Sequence, residues 1–81
     1  MGITENAVQS ITIYPNPVKD EFYIKSELPI EKVEVYSIIG ALLLSENHYS
    51  GKISVSNLPR GIYMVNVYTS DGMRVGKIVK E

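Results

Sequence analysis

The 81-residue sequence predicts an all-β fold, a sandwich of two antiparallel sheets with about seven strands. Short runs alternate between apolar and polar residues with period two, and turn residues separate those runs at close, regular spacing. No window of a dozen residues carries a helical period with caps. The sharpest single feature is the corner Asn57-Leu58-Pro59-Arg60-Gly61, which delivers the chain into Ile62 to Val67. Pro59 fixes φ and supplies no donor, and Gly61 can take the positive φ of a sharp turn. Tyr63, Val65 and Val67 then share one face. A tyrosine at that place can pack its ring inside and return its hydroxyl to the corner backbone, with Leu58 as an apolar plug beneath the turn. That is the tyrosine corner of immunoglobulin-like sandwiches, so the expected fold is immunoglobulin-like.

Each element follows from the same reading. Val8 to Tyr14 gives a first strand with Ile11 and Ile13 on one face, ended by Pro15-Asn16-Pro17, where prolines forbid ladder pairing. Glu21 to Lys25 places Phe22 and Ile24 inward and Tyr23 and Lys25 outward. Leu28-Pro29-Ile30 reads as a loop with apolar anchors. Lys32 to Ser37 puts Val33 and Val35 opposite Lys32, Glu34 and Tyr36. The turn Ser37-Ile38-Ile39-Gly40 leads into Ala41 to Ser45 as a hairpin partner. Glu46 to Gly51 is polar and turn-like, and Lys52 to Ser56 carries Ile53 and Val55 inward. The last hairpin joins Ile62–Thr69 to Arg74–Lys80 through Ser70-Asp71-Gly72-Met73, where Asp-Gly suits a turn with a positive-φ residue. Residues 1–7 are expected to be a flexible segment, the remnant of a linker, and residues 8–81 one domain.

Composition bounds the function classes. A chain of this length buries only about 60% of its unfolded surface and does not divide into two cores. Apolar residues at 44% with 21% charged suit a globular protein. A formal charge of −1 supplies no basic face for nucleic acid or an anionic membrane. The longest apolar run, Ile38 to Leu44, is broken by Gly40 and far too short to span a bilayer. Cysteine is absent, so stability rests on core and sheet, and the redox compartment is not legible. The first residues show no basic segment followed by an apolar one, so no export signal is expected in the chain itself.

No catalytic, cofactor or metal site is expected. His48 is the single histidine, beside Asn47 and Tyr49 in a polar stretch, and reads as a solvated loop residue. Asp20 and Glu21 are adjacent, so on a strand they point to opposite faces and make no acid–base pair. Asp71 is explained by turn chemistry, without the cluster of acidic oxygens that calcium needs. Gly40, Gly51, Gly61, Gly72 and Gly76 are dispersed at turns, with no phosphate-cradling loop leading to a helix. Six tyrosines raise a rival reading, a stand-alone glycan- or protein-binding (adhesion) module that uses Tyr23, Tyr36 or Tyr68. The bland explanation is the high β propensity of tyrosine, and the lack of tryptophan weakens a sugar platform.

Three blocks in order carry a resemblance to a known family. The first is Ile13-Tyr14-Pro15-Asn16-Pro17-Val18, followed by Asp20 and Phe22-Tyr23-Ile24. The second is Val33-Glu34-Val35-Tyr36-Ser37-Ile38-Ile39-Gly40. The third is Ile53 to Tyr63, through Asn57-Leu58-Pro59-Arg60-Gly61, then Val65, Val67 and a last strand with Lys77 and Val79. Over residues 8–81 the chain resembles the type A C-terminal sorting domain of the bacterial type IX secretion system, the Por secretion tail family. Tyr-Pro-Asn-Pro is the family's most recognisable signature. Arg60 is larger than the small residue that often precedes the turn glycine.

The resemblance implies sorting without catalysis. Such domains end larger cargo proteins, are recognised folded by the outer-membrane translocon, and are removed by a cell-surface sortase-like peptidase that releases or anchors the cargo. Implied partners are thus translocon and sortase components, and the implied location runs from periplasm to outer membrane, cell surface or medium. Cleavage is expected in or before Gly2 to Ser10. The expected recognition residues are Tyr14, Pro15, Asn16, Pro17, Gly40, Gly61, Tyr63, Lys77, Val79 and Lys80, with the terminal strand through Glu81 associated with export competence. Leu58, Pro59, Gly61 and Tyr63 are expected to build the structural corner. Exposed sheet edges leave a monomer and a strand-exchanged dimer equally open.

Overall fold

Alternation decides what lies inside. Phe22, Val33, Val35, Ile53, Val55, Val65, Val67 and Ile78 are essentially inaccessible and form one core cluster with Val18, Ile24 and Tyr63. A computed structural model describes residues 11–81, and it holds these side chains between two antiparallel sheets. One sheet has the order β1 (Ile11–Tyr14), β2 (Glu21–Ser26) and β5 (Ile53–Ser54). The other has the order β4 (Leu42–Glu46), β3 (Ile30–Ser37), β6 (Gly61–Thr69) and β7 (Gly72–Lys80). In immunoglobulin lettering these are sheets ABE and C′CFG, so the predicted seven-stranded immunoglobulin-like sandwich is what forms. The proposed linker remnant at 1–7 and the cleavage region Gly2 to Ser10 lie outside the described residues, as does the start of the predicted first strand.

Several element limits differ from the sequence reading. Ile30 belongs to β3 and pairs with Thr69 instead of sitting in a loop; its half-buried side chain packs on the core. The strand expected over Lys52 to Ser56 pairs only at Ile53–Ser54, opposite Phe22 and Glu21. One bond prolongs that register, from Val55 N–H to the Asp20 carbonyl at 2.8 Å, and the chain then turns, Leu58 N–H donating to the Val55 carbonyl at 3.0 Å. The last hairpin is tighter than expected, with only Ser70 and Asp71 between the paired Thr69 and Gly72. Gly72 carries the positive φ, +126°.

Gly76 is not a turn glycine. It lies inside β7 opposite Val65, and a Cβ built there would stand 2.5 Å from Cδ1 of Ile13. The missing side chain is what lets β1 pack onto β7 across the open side of the sandwich.

The edge of β2 that faces β5 shows a second departure. β5 is too short to pair with Ile24, and the Tyr49 hydroxyl takes its place. It accepts from Ile24 N–H at 2.8 Å and donates to the Gly51 carbonyl at 2.9 Å. A tyrosine in an otherwise polar loop was the available signal for this role.

Candidate functional site

The three sequence blocks converge at one end of the four-stranded sheet. Ser37 of β3 stands opposite Tyr63 of β6, and Gly61 stands opposite Lys80 of β7. Antiparallel register therefore puts the Ser37–Gly40 turn, the Pro59-Arg60-Gly61 corner and the end of β7 side by side. The segment after β1 joins them there. Asn16 Nδ2 donates to the Lys77 carbonyl at 3.2 Å, and Asn16 Oδ1 accepts from Val79 N–H at 3.0 Å. Val18 N–H then donates to the Val79 carbonyl at 2.7 Å, and Glu81 N–H to the Val18 carbonyl at 2.8 Å.

The prolines end the ladder pairing of β1 at Tyr14, as expected. Pro15 and Pro17 supply no N–H, and both are preceded by cis peptide bonds. Beyond that point the bonds to β7 come from the Asn16 side chain, which uses one amide N–H as donor and its oxygen as acceptor, as a strand peptide does. The chain leaves the first sheet at Tyr14 and meets the second at Val18, in a parallel bridge to Lys80. Val18 is wholly buried and serves as the apolar anchor of that crossing. Part of the edge of β7 is closed in this way, which removes ladder groups that would otherwise be open to another chain.

The remaining predicted residues take distinct places. The Tyr63 hydroxyl donates to the Pro59 carbonyl and its ring is buried, which completes the corner. Leu58 is half-buried against the core, not fully enclosed. Gly40, at φ +91°, closes the β3–β4 turn, where Gly40 N–H donates to the Ser37 carbonyl at 3.0 Å and Ser37 N–H to the Ala41 carbonyl at 2.9 Å. Pro15, Asn16, Pro17, Lys77 and Val79 are exposed. Tyr14 is exposed too but lies on the outer face of the three-stranded sheet, its ring 5.6 Å from that of Tyr23 across the strand pair.

Sequence reasoning missed a polar cluster on the outer face of the four-stranded sheet. Glu34 is nearly buried although its alternation points it outward. Its Oε1 accepts from the hydroxyls of Tyr68 at 2.8 Å and Tyr36 at 2.9 Å, and its Oε2 pairs with Lys32 Nζ at 3.2 Å. Lys32 also stands 5.2 Å from the centre of the Tyr68 ring. The hydroxyl of Tyr68, then that of Tyr36, holds the Glu34 carboxyl below its usual range, with Lys32 adding to this and partial desolvation opposing it. The same bonds push both phenols up. The hydroxyls of Tyr36 and Tyr68 are thus bonded to Glu34, whereas Tyr23, the third tyrosine of the rival reading, stands beside Tyr14.

Of the other polar residues singled out in the sequence, Glu21 and Asp71 have structural partners. Glu21 pairs with Lys52 at 3.2 Å, and His48 is exposed. Thr69 Oγ1 accepts from Asp71 N–H at 3.2 Å in the hairpin turn. Among the described residues, no three potential metal ligands come together and no helix is long and apolar enough to cross a membrane.

Fold and site together define a small immunoglobulin-like sandwich whose motif residues bind its own last strand. The family model described as "Secretion system C-terminal sorting domain" matches residues 12–81, and the chain belongs to that family. The resemblance to type IX sorting domains is thereby borne out, and the family's role is that of a sorting signal. The chain is also 25% identical over 75 residues to ulvan lyase NLR42 of Nonlabens ulvanivorans. That match covers 88% of this chain but 14% of the lyase, in the lyase's C-terminal part. A tail on a larger secreted or cell-surface protein is the arrangement the two comparisons share.

Proposed function

We propose that this domain is read, while folded, by the type IX outer-membrane translocon, and that the surface read is the end where Pro15-Asn16-Pro17, the Gly40 turn, the Gly61 corner and the last strand converge. A cell-surface sortase-like peptidase then cuts on the cargo side of β1, and the cargo is released or anchored. One observation carries this reading: the Asn16 side chain is hydrogen-bonded to Lys77 and Val79, so the signature motif and the terminal strand are a single unit. An assembled end of this kind exists only in the folded domain. It presents exposed prolines at little entropic cost on binding.

Topology supports the polarity of the scheme. β1 runs toward the convergent end, so Ile11 lies at the other end of the molecule. The experiment is a fusion of residues 3–81 behind a periplasmic reporter in a host with this machinery. The expected result is reporter at the cell surface or in the medium; a correctly folded fusion held in the periplasm overturns the reading.

A further inference from the structure

The tip of the β3–β4 hairpin is apolar where a turn is ordinarily polar. Ile38 is 70% exposed and Ile39 87%, and Leu42 and Leu43 just beyond are 51% and 43% exposed. The turn itself does not require them. Its closure comes from the Ser37 and Gly40 backbone bonds, from Ala41 N–H donating to Ser37 Oγ at 3.1 Å, and from the positive φ of Gly40. Polar residues at 38 and 39 satisfy the same turn. Two adjacent isoleucines held in water by a closed turn are a fixed apolar projection, the kind of surface that marks an interaction site.

We propose that Ile38 and Ile39 form a knob that seats in an apolar recess of a protein component of the export machinery. The proposal rests on the sorting reading above and names the contact within it. The tip stands at the same end as the Asn16–Val79 unit and the end of β7, so one partner spanning that end meets both. Four side chains expose less than the roughly 800 Å² per partner that a stable dimer buries, so a second copy of this chain is a poor occupant. Residues 37–45 contain no charged side chain, so the tip offers no basic group to lipid phosphates. A convex, uncharged, preorganised tip fits a concave apolar pocket.

The test compares reporter fusions carrying the parent domain, the pair Ile38→Ser/Ile39→Ser and the conservative pair Ile38→Leu/Ile39→Leu. All three are first checked for an unchanged urea midpoint as purified domains. The serine pair is expected to lose about tenfold or more of its surface reporter and to accumulate folded in the periplasm, while the leucine pair is exported like the parent. A parent exported alongside an equally exported serine pair overturns the knob and leaves the sorting reading intact. A folded parent retained in the periplasm overturns the sorting reading, and the knob with it. Binding of the purified parent to phosphatidylethanolamine–phosphatidylglycerol vesicles, lost in the serine pair, overturns the protein recess in favour of lipid. A concentration-dependent dimer in sedimentation, lost in the same pair, overturns it in favour of a second copy.

Discussion

The carboxamide of Asn16 is hydrogen-bonded to the backbone of β7 at Val79 and Lys77, 3.0 and 3.2 Å away, across a separation of more than sixty residues in sequence. Because Val79 N–H and C=O both face this segment, its neighbour Ile78 directs its own peptide groups to β6. Asn16→Ala is therefore expected to lower the hydrogen-exchange protection of the Val79 amide roughly fivefold, as the bond to that amide, worth about 1 kcal/mol, is lost, and to leave Ile78 unchanged. Unaltered protection at Val79 means that something else shields that amide.

The corner between β5 and β6 predicts two unequal costs. Tyr63→Phe removes the donor to the Pro59 carbonyl and keeps the buried ring, for a loss of about 1 kcal/mol. Leu58→Ala is expected to cost about 1–2 kcal/mol, below the 2–5 of a fully buried leucine, since Leu58 is only half-buried. Urea denaturation of both variants measures this. A silent Tyr63→Phe contradicts the corner.

Gly76 and Ile13 compete for one volume. Gly76→Ala puts a methyl group where Ile13 Cδ1 now lies, so the Ile13 side chain must move and the usual strand advantage of alanine over glycine is lost. In an Ile13→Val background the obstructing carbon is gone. A double-mutant cycle is expected to show a favourable interaction of about 1 kcal/mol between the two substitutions. Strict additivity places the side chains apart.

The Glu34 cluster makes stability depend on pH at both ends. The folded carboxyl titrates below its usual value of 4.5, so its contribution is present above that pH and disappears as pH falls through the lower folded value. Tyr36 and Tyr68 titrate above their usual 10.0, so theirs is present below that pH and disappears as pH rises through the raised values. Glu34→Gln is expected to flatten the acid limb of a urea-midpoint profile relative to the parent. Parallel acid limbs contradict the network.

Fold was legible because alternation exposes which residues are buried, and Phe22, Val33 and Val65 all followed it. The tyrosine corner was legible because its bond spans four residues, from Tyr63 back to Pro59. What stayed hidden depends on partners distant in sequence. Pro15-Asn16-Pro17 correctly signalled the end of β1, yet nothing local shows that Asn16 finds Lys77 and Val79. Glu34 looked like an ordinary outward charge because its second tyrosine, Tyr68, arrives from another strand. Gly76 resembled the turn glycines because only the packing of β1 reveals Ile13 above it.

Recognition of the folded end is tested most directly by unfolding the domain within the fusion. Phe22→Ala empties a wholly buried position at a cost of about 3–5 kcal/mol, comparable with the roughly 4–12 kcal/mol expected for a domain of this size. The measurement is the fraction of reporter at the surface, normalised to total reporter, for parent and variant fusions whose folded fractions are known from limited proteolysis. Surface reporter falling in step with the folded fraction is the predicted result. Undiminished export of the unfolded variant contradicts the account.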